Sequence, residues 1–500
     1  MKIKHRGPEY TSFEIIDDKY FIGFHRLAIK GLTIEGNQPF RQIKKDGTEL
    51  YALCNGEIYG HEELIEKFSL KDARGSDCSV ILPLYKKLGL DVARFLGSEF
   101  ASIIIEMKKG HLRLVAIRDP IGVRPLFYSL SDDGDICLSS ELKGIIGKAH
   151  VFPAGHTMVY ERGSISLTKY IETPTIVPLE EHLHRTIVRE SLIESVRVRL
   201  GPEREFGCLL SGGLDSGLVV SILHHLLPGK RFPVFTISMK NGSTDLPYAK
   251  MLAELFDLEH HIVEIDTAEA LSHIDDVIYA IESWDITSNR ASCVQYLLAK
   301  YISEKTKVKV LYSGELSDEL FMGYKYFLKA PDPESAGEDS DRLVRDVYMF
   351  DGLRTDRTMA AFGLEVRLPF ADWNFVSKVQ SVPREFLLPR KGVEKYFLRC
   401  AFDSVEIEVP HEILWRPKEA FSDGVSSKEE SWFQTIQSHM LKIYPEGEYG
   451  TEPGKTRESI HYLKKFDESF GSENRDVIPY YWMPRWSETV DPSARTLTHY

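Results

Sequence analysis

The stretch Cys208-Leu209-Leu210-Ser211-Gly212-Gly213-Leu214-Asp215-Ser216 decides the fold of this chain. Apolar residues lead into a glycine-rich turn that carries two hydroxyls and a carboxylate. The run Leu218-Val219-Val220-Ser221-Ile222-Leu223 follows at once and reads as a helix. A strand that enters such a turn and leaves as a helix points backbone N–H groups outward at the positive end of the helix dipole. That is an anion site. The glycines let backbone approach a ligand, and the hydroxyls add donors. A bare Ser-Gly-Gly fits equally well a plain strand-to-helix turn capped by serine. Asp215 shifts the balance, because a carboxylate in an anion nest repels the ligand unless a metal bridges the two. The full run therefore implies Mg²⁺ with a polyphosphate.

Working outward, strand-like segments at 206–210, 233–239, 260–265 and 308–312 alternate with helical stretches, 249–256 among them. Alternating strands and helices predict a parallel sheet covered on both faces, with ligands at the carboxyl ends of its strands. A second motif, Ser313-Gly314-Glu315-Leu316-Ser317-Asp318-Glu319, sits at another such end. Three carboxylates in five residues are ordinarily a solvated turn. Beside the Ser-Gly-Gly turn they become candidates for metal and substrate, and Asp215 and Asp318 could share one Mg²⁺. Farther on, Arg416-Pro417-Lys418 puts a basic pair before a turn, where a lysine can steady charge on a reacting phosphoryl group. Taken alone, that lysine reads as a surface residue. The polar segment 331–341 reads as an exposed loop.

The first third has a different texture. Strand-like pieces at 50–54, 101–105 and 112–117 are punctuated by Asn55-Gly56, Lys109-Gly110, Asp133-Gly134 and Arg162-Gly163. This predicts mostly antiparallel sheet with few helices, one near 79–88. The texture changes around 174–178, and apolar residues then recur at helical spacing over 179–200 (Leu183, Ile187, Val196, Leu200). A length of 500 residues allows two to four domains. With 62 basic against 75 acidic residues and a net charge of −13, nucleic acid is disfavoured as the main partner. Six cysteines show no Cys-x-x-Cys pairing, which argues for a reducing compartment and against structural zinc. No membrane-length apolar stretch or signal peptide is evident, so a cytosolic protein is expected.

Together these stretches resemble one family, the asparagine synthetases of the eukaryotic, glutamine-hydrolysing type, over essentially the whole chain. The likeness runs through 208–216, Ser313–Asp318, 285–292, 356–360, 363–370, 415–424, 481–484 and the tail 491–500. It implies an α/β and α+β protein of two domains. Residues 1–170 would form a glutamine amidotransferase-like sandwich of the N-terminal nucleophile type. Residues 179–500 would form a parallel-sheet ATP-pyrophosphatase domain, adenine nucleotide alpha hydrolase-like. The implied chemistry is attack of the aspartate side-chain carboxylate on MgATP, giving β-aspartyl-AMP and pyrophosphate, followed by displacement of AMP by ammonia. The resemblance places Ser211, Gly212, Gly213 and Ser216 on pyrophosphate and Asp215 and Asp318 on Mg²⁺. It places Leu210, Ile237, Ser313 and Gly314 on the nucleotide, and Asp245, Thr287, Ser288 and Arg290 around aspartate and pyrophosphate. Glu315 would serve formation and amination of the acyl-adenylate, and Lys418 would stabilise the phosphoryl transition state. Where the family has glycine, this chain has Leu316, which is strained if the backbone there needs a positive φ.

The first half keeps the family's glutamine-binding set. Arg26, in Arg26-Leu27-Ala28-Ile29-Lys30, would pair with the substrate carboxylate. Asn55 and Gly56, ahead of Glu57, would form the oxyanion hole, and Asp77 would take the α-amine. The family begins Met-Cys-Gly and activates that cysteine with its own α-amine. This chain begins Met1-Lys2-Ile3-Lys4-His5-Arg6-Gly7-Pro8-Glu9, matching a His-Arg-Gly-Pro segment that lies inside family members. The resemblance thus implies that the first strand and the nucleophile are missing, that Cys54 and Cys78 do not replace it, and that the chain does not hydrolyse glutamine. A sandwich without that strand is expected to expose apolar core and an unpaired edge, and to be less stable for it. Several readings stay open: a start codon assigned too far downstream or an interrupted gene, an ammonia-dependent asparagine synthetase, a relative of the β-lactam synthetases, or a subunit that only pairs with complete copies. The retained Arg26, Asn55, Gly56, Glu57 and Asp77 argue against the β-lactam reading. The partners implied are aspartate, ATP, and glutamine or ammonia, with no nucleic acid and no membrane; a homodimer is compatible with the family.

Overall fold

The computed structural model describes residues 1–419, 421–427 and 431–493. Ala420 and residues 494–500, parts of two stretches quoted above, lie outside the described residues. The chain forms two compact units. One comprises Met1–Thr173 with Val198–Glu205 and Phe362–Leu364; the other comprises Pro174–Arg197, Phe206–Ala361 and Glu365–Tyr500. Among the described residues no helix is long and apolar enough to cross a membrane.

The first unit is built on antiparallel strands: β1 Tyr10–Ile16, β2 Tyr20–Arg26, β3 Phe40–Ile43, β4 Glu49–Glu57, β5 Glu99–Lys108, β6 His111–Arg118, β7 Phe127–Leu130, β8 Ile136–Ser139, β9 His150–Val151, β10 His156–Glu161 and β11 Ser164–Lys169. Six pair in the order β11-β10-β6-β5-β4-β3, three as β8-β7-β9, and β1-β2 make a separate hairpin. Period-two alternation gives the six-stranded sheet two apolar faces. Leu50, Ala52 and Cys54 of β4, Phe100 and Ile104 of β5, and Val115 and Ile117 of β6 share one core with the helix Ile81–Leu88. Their alternate neighbours Tyr51, Ala101, Ile105, Met107, Leu114 and Ala116 share a second core with Ile16 and Ile22 of the hairpin and Leu126.

The predicted turns at Lys109-Gly110, Asp133-Gly134 and Arg162-Gly163 do join consecutive strands. Asn55-Gly56 does not. Both residues lie inside β4, opposite Ala101 and Phe100 of β5. A Cβ on Gly56 would fall 2.0 Å from the Glu99 carbonyl oxygen, so here glycine answers a close approach of two strands rather than a reversal.

The second unit is a parallel sheet of β12 Phe206–Leu209, β13 Pro233–Met239, β14 Glu259–Ile265, β15 Val310–Tyr312 and β16 Glu365–Arg367, in the order β14-β13-β12-β15-β16. All four pairings are parallel. The strand order reverses between β12 and β15, which places a crevice at their carboxyl ends. The predicted strands hold within two residues at their ends, while the three-residue β16 was not anticipated. The expected loop at 331–341 is instead the start of the helix Pro333–Asp346. Asp332 caps it through Ser335 N at 2.7 Å, and Pro333 occupies the first turn. Its buried face carries Ala336, Asp339, Leu343 and Val344, so a polar composition concealed an amphipathic helix.

Candidate active site

The turn after β12 is fixed by its own backbone. Leu210 N donates to Phe235 O at 2.9 Å, and Gly212 adopts φ +86°. A Cβ on Gly212 would lie 2.5 Å from the Asp245 carbonyl oxygen and 2.7 Å from Ala249 N. Gly314, after β15, would bring a Cβ to 2.7–2.9 Å of Asp215 and Ser216. Only glycines let these two strand ends and the helix Leu214–Leu226 come together. Ser211 Oγ and Ser216 Oγ are 3.0 Å apart, and Gly213 N donates to Ser211 Oγ at 3.3 Å. Two hydroxyls thus gather at the positive end of a 13-residue helix.

These groups line one cavity. Around it stand Leu210, Ser211, Gly213, Asp215, Ser216, Ile237, Asp245, Ser313, Gly314, Glu315, Asp318 and Lys418 from the sequence motifs, joined by Lys395, Arg354, Arg399, Arg416 and Glu419. Gly212 shapes the turn without facing the cavity. The cavity pairs opposite charges closely. Lys395 Nζ lies 2.5 Å from Asp215 Oδ2 and 2.6 Å from Asp318 Oδ1, and Lys418 Nζ donates to Asp318 Oδ2. Burial alone would raise Asp318, but Lys395 and Lys418 outweigh it and hold the carboxyl well below its usual range. Lys418 is raised in turn: burial works against its charge, and Asp318 and Asp215 overcome that.

Two oxygens stand apart. Asp215 Oδ1 and Asp318 Oδ1 are both buried with no hydrogen-bond partner, although the second lies 2.6 Å from the Lys395 ammonium. Buried carboxylate oxygens are normally satisfied, so two such oxygens on residues lining one cavity suit a divalent cation. Among the described residues no group of three or more His, Cys, Asp or Glu side chains is placed to hold a metal. The chemistry of the Asp215–Asp318 pair fits Mg²⁺, which binds one or two carboxylates and completes its shell with phosphate and water.

Opposite this cluster, Glu315 accepts from Arg354 Nη2 at 2.9 Å, and Arg354 also donates to Gln295 at 2.5 Å and Asp351 at 3.0 Å. Burial raises the Glu315 carboxyl, Asp351 and Asp318 add to that, and Arg354 opposes it. Arg416 donates to Gly212 O at 2.9 Å, Thr244 O at 3.1 Å and Asp245 Oδ1 at 2.6 Å, with its guanidinium 4.1 Å from the Tyr248 ring centre. It ties the Ser-Gly-Gly turn to the Asp245 loop. Burial pushes Asp245 up to about 6 although Arg416 opposes the shift.

Thr287, Ser288 and Arg290 are not among the cavity residues. Thr287 Oγ1 and Ser288 N bond Asp285 Oδ2 at the start of the helix Ile286–Lys305. Arg290 is buried in two forked ion pairs, to Glu458 at 2.6–2.8 Å and Asp491 at 2.8 Å. Leu316 does take positive φ, +80°, and its side chain is buried at 2% exposure. Sequence reasoning missed Lys395 and Arg354 outright, since a lone basic residue carries no local mark of a cavity. The only hint is Lys395 and Arg399 one turn apart around the apolar Phe397-Leu398.

In the first unit, the predicted glutamine residues gather around β2 and β4. Arg26 Nη1 donates to Thr33 O at 2.7 Å and Asn37 Oδ1 at 2.8 Å, and Nη2 donates to Gly31 O. Ala28 N bonds Glu9 at 2.8 Å, and the Ala28 and Ile29 carbonyls accept from Arg204 and Glu203 N. Leu27 and Lys30 are half-buried beside them. Asp77 Oδ2 accepts from Ile58 N at 2.6 Å, and Oδ1 accepts from Ser76 Oγ at 2.9 Å. Asn55 Nδ2 is buried without a partner, as an oxyanion donor awaiting a carbonyl would be. Gly56 has φ +136° and Glu57 is buried. Cys54 and Cys78 are both buried. The Cys78 thiol donates at 3.4 Å to Gly56 O and Asp77 Oδ2. A contact with Cys54, then burial, raise its pKa well above the ordinary thiol value.

Residues 187–477 match the family model described as asparagine synthase, and residues 1–189 match that described as glutamine amidotransferase domain. The chain is 40% identical over 545 residues to the protein named asparagine synthetase [glutamine-hydrolyzing] of Gallus gallus, covering 100% of this chain and 95% of that protein. It is 38% identical to the proteins of that name from Bos taurus and Homo sapiens, with the same coverage of each.

Proposed function

Because the chain belongs to the asparagine synthase family, we propose that it converts aspartate to asparagine through β-aspartyl-AMP, with ammonia as the nitrogen source for these 500 residues. The observation that carries this reading is the cavity at the ends of β12 and β15. There two carboxylates face two ammoniums beside a helix N-terminus, and Asp215 Oδ1 remains unpartnered. Asp215 and Asp318 would hold Mg²⁺, which when bound draws charge off the phosphate oxygens.

In the proposed reaction an oxygen of the aspartate side chain attacks the α-phosphorus, and the bond to pyrophosphate breaks. Ser211, Gly213 and Ser216 receive the leaving pyrophosphate at the helix N-terminus. Lys418 supplies positive charge where the transferring group gains negative charge. Ammonia then attacks the acyl carbon, the bond to AMP breaks, and the nitrogen must lose a proton. Glu315 is placed to take it, with an affinity raised by burial and an ionised form steadied by Arg354. The 179–500 segment carries this synthesis, and the 1–170 segment is the glutamine side.

Ammonia is preferred over glutamine because a nucleophilic thiol must be exposed and readily ionised. Cys54 and Cys78, the thiols beside Asn55 and Asp77, are buried, and Cys78 is raised. The orphaned Asn55 amide favours a pocket shaped for glutamine over a β-lactam synthetase reading.

Pyrophosphate release from MgATP and aspartate, with ammonia or glutamine added, tests the activity. Aspartate labelled with ¹⁸O in its side chain tests the intermediate, since displacement of AMP leaves one label on that AMP. Unlabelled AMP overturns the adenylate. Asparagine formed from glutamine overturns the ammonia assignment, and no turnover with either nitrogen source favours the partner-only reading.

A further inference from the structure

Lys395 has no part in the steps above, yet its ammonium is buried against both carboxylates of the pair. Its side chain is 1% exposed, and its ammonium lies 2.5 Å from Asp215 Oδ2, 2.6 Å from Asp318 Oδ1 and 3.4 Å from Ser317 Oγ. The backbone that delivers it is unusual for a lysine, with φ +53° at the start of the helix Tyr396–Phe402. It follows the turn in which Arg390 and Val393 exchange backbone hydrogen bonds at 2.9 and 3.0 Å. Gly323 leaves room for it, since a Cβ there would lie 2.2 Å from Lys395 Cε and 2.3 Å from Asp318 Oδ1.

The charge balance of the cluster gives this placement a consequence. Two carboxylates meet two ammoniums, so the cluster is neutral as it stands. Three of the four carboxylate oxygens lie within ion-pair distance of Lys395 or Lys418, while Asp215 Oδ1 and Asp318 Oδ1 both lack a hydrogen-bond partner and Asp215 Oδ1 has no ion-pair contact with either lysine. A divalent cation entering alone would leave a buried excess of positive charge, which is costly. The same cation arriving with a polyphosphate brings compensating negative charge, and Lys395 then has phosphate oxygens to serve.

Resting on the proposed Mg²⁺-polyphosphate reading of this cavity, we propose that Lys395 is a positioning residue that makes occupancy of the Asp215–Asp318 pair by a divalent cation conditional on the polyphosphate. It holds the two carboxylates side by side and competes with a bare cation for their oxygens. It ceases to compete when phosphate accepts its charge.

The test is thermal unfolding of the full chain with MgCl₂ alone and with MgCl₂ plus inorganic pyrophosphate. The wild type should respond weakly to Mg²⁺ alone and strongly to the mixture. Lys395→Met should melt about 5 °C lower without ligand, because two buried carboxylates lose a shared counter-ion. Its response to Mg²⁺ alone should exceed that of the wild type. Its affinity for the mixture should fall on the order of tenfold or more. Lys395→Arg should return toward the wild-type pattern. If Lys395→Met does not fold, Lys395→Gln, which still donates a hydrogen bond, should show the same signs at smaller size. A merely structural lysine lowers the melting temperature and leaves the response to Mg²⁺ alone unchanged, and that result overturns the proposal. A wild type that ignores Mg²⁺ and pyrophosphate together overturns the reading of the cavity itself.

Discussion

In the proposed nucleotide cavity, two lysine ammoniums face two carboxylates, and one oxygen of each carboxylate is left without a hydrogen-bond partner. In the proposed glutamine site, the buried guanidinium of Arg26 is spent on carbonyls and an amide of its own loop, and the orphan is the neutral amide of Asn55. Both sites bury charge. In the first, the charges meet one another across a cavity, so a ligand can redistribute them. In the second, the charge is absorbed by backbone, so it shapes a pocket and contributes little to chemistry. Removing a buried cation should therefore have different consequences in the two places.

The largest effect belongs to the cavity. Lys418→Met should lower pyrophosphate release by about 10²–10³-fold, the loss typical of one preorganised charge at a transition state. Binding of aspartate should change much less, and a kcat and KM measurement separates the two. The matching change in the other unit, Arg26→Met, should leave ammonia-driven turnover unchanged. It should cost roughly 2–3 kcal/mol of stability, because the Thr33 and Gly31 carbonyls lose charge-assisted donors. Equal turnover losses in the two variants would erase the contrast between the sites.

The sequence showed the parallel sheet and its two strand-end turns because their marks are local. Glycine at positive φ, hydroxyls at a helix start and apolar runs of strand length are visible in a short window. Charge partners are not local. Lys395 and Arg354 meet Asp215 and Glu315 across 180 and 39 residues, so nothing near either one announces its role. Burial also changes what a residue type means. Arg290 matches the family's stretch, yet in this structure Glu458 and Asp491 take up its guanidinium. The polar run in the helix Pro333–Asp346 hid Asp339, fully buried and bonded to Tyr326 at 2.7 Å.

Acid offers a test inside the cavity. Burial pushes Asp245 up to about 6, and its ionised form is the one that pairs with Arg416, which in turn holds the Gly212 carbonyl. Pyrophosphate release should therefore fall as pH drops through about 6, by up to about tenfold per unit. Folding stability from this group moves the other way. Its folded value lies above the ordinary 3.8, so between about 4 and 6 the native state binds more protons. Stability gained from Asp245 is greatest at the acid end of that window and is lost as pH rises through 6. Asp245→Asn should flatten both profiles at that step. A glutamine site without titrating chemistry predicts no matching step for Arg26→Met relative to the wild type.

The smallest effect concerns Leu316, where backbone strain and side-chain burial pull in opposite directions. A leucine at φ +80° carries strain on the order of 1 kcal/mol, which glycine would relieve. The same side chain is 2% exposed, and deleting a buried leucine costs roughly 2–5 kcal/mol. Burial outweighs strain, so Leu316→Gly should destabilise the chain despite relaxing its backbone. Leu316→Ala loses nearly the same burial and keeps the strain, so it should be less stable than Leu316→Gly by about 1 kcal/mol. Paired denaturant melts would read that order directly. If alanine proves the more stable of the two, the left-handed backbone at 316 carries no strain, and the loop holding Glu315 and Asp318 has adapted to leucine.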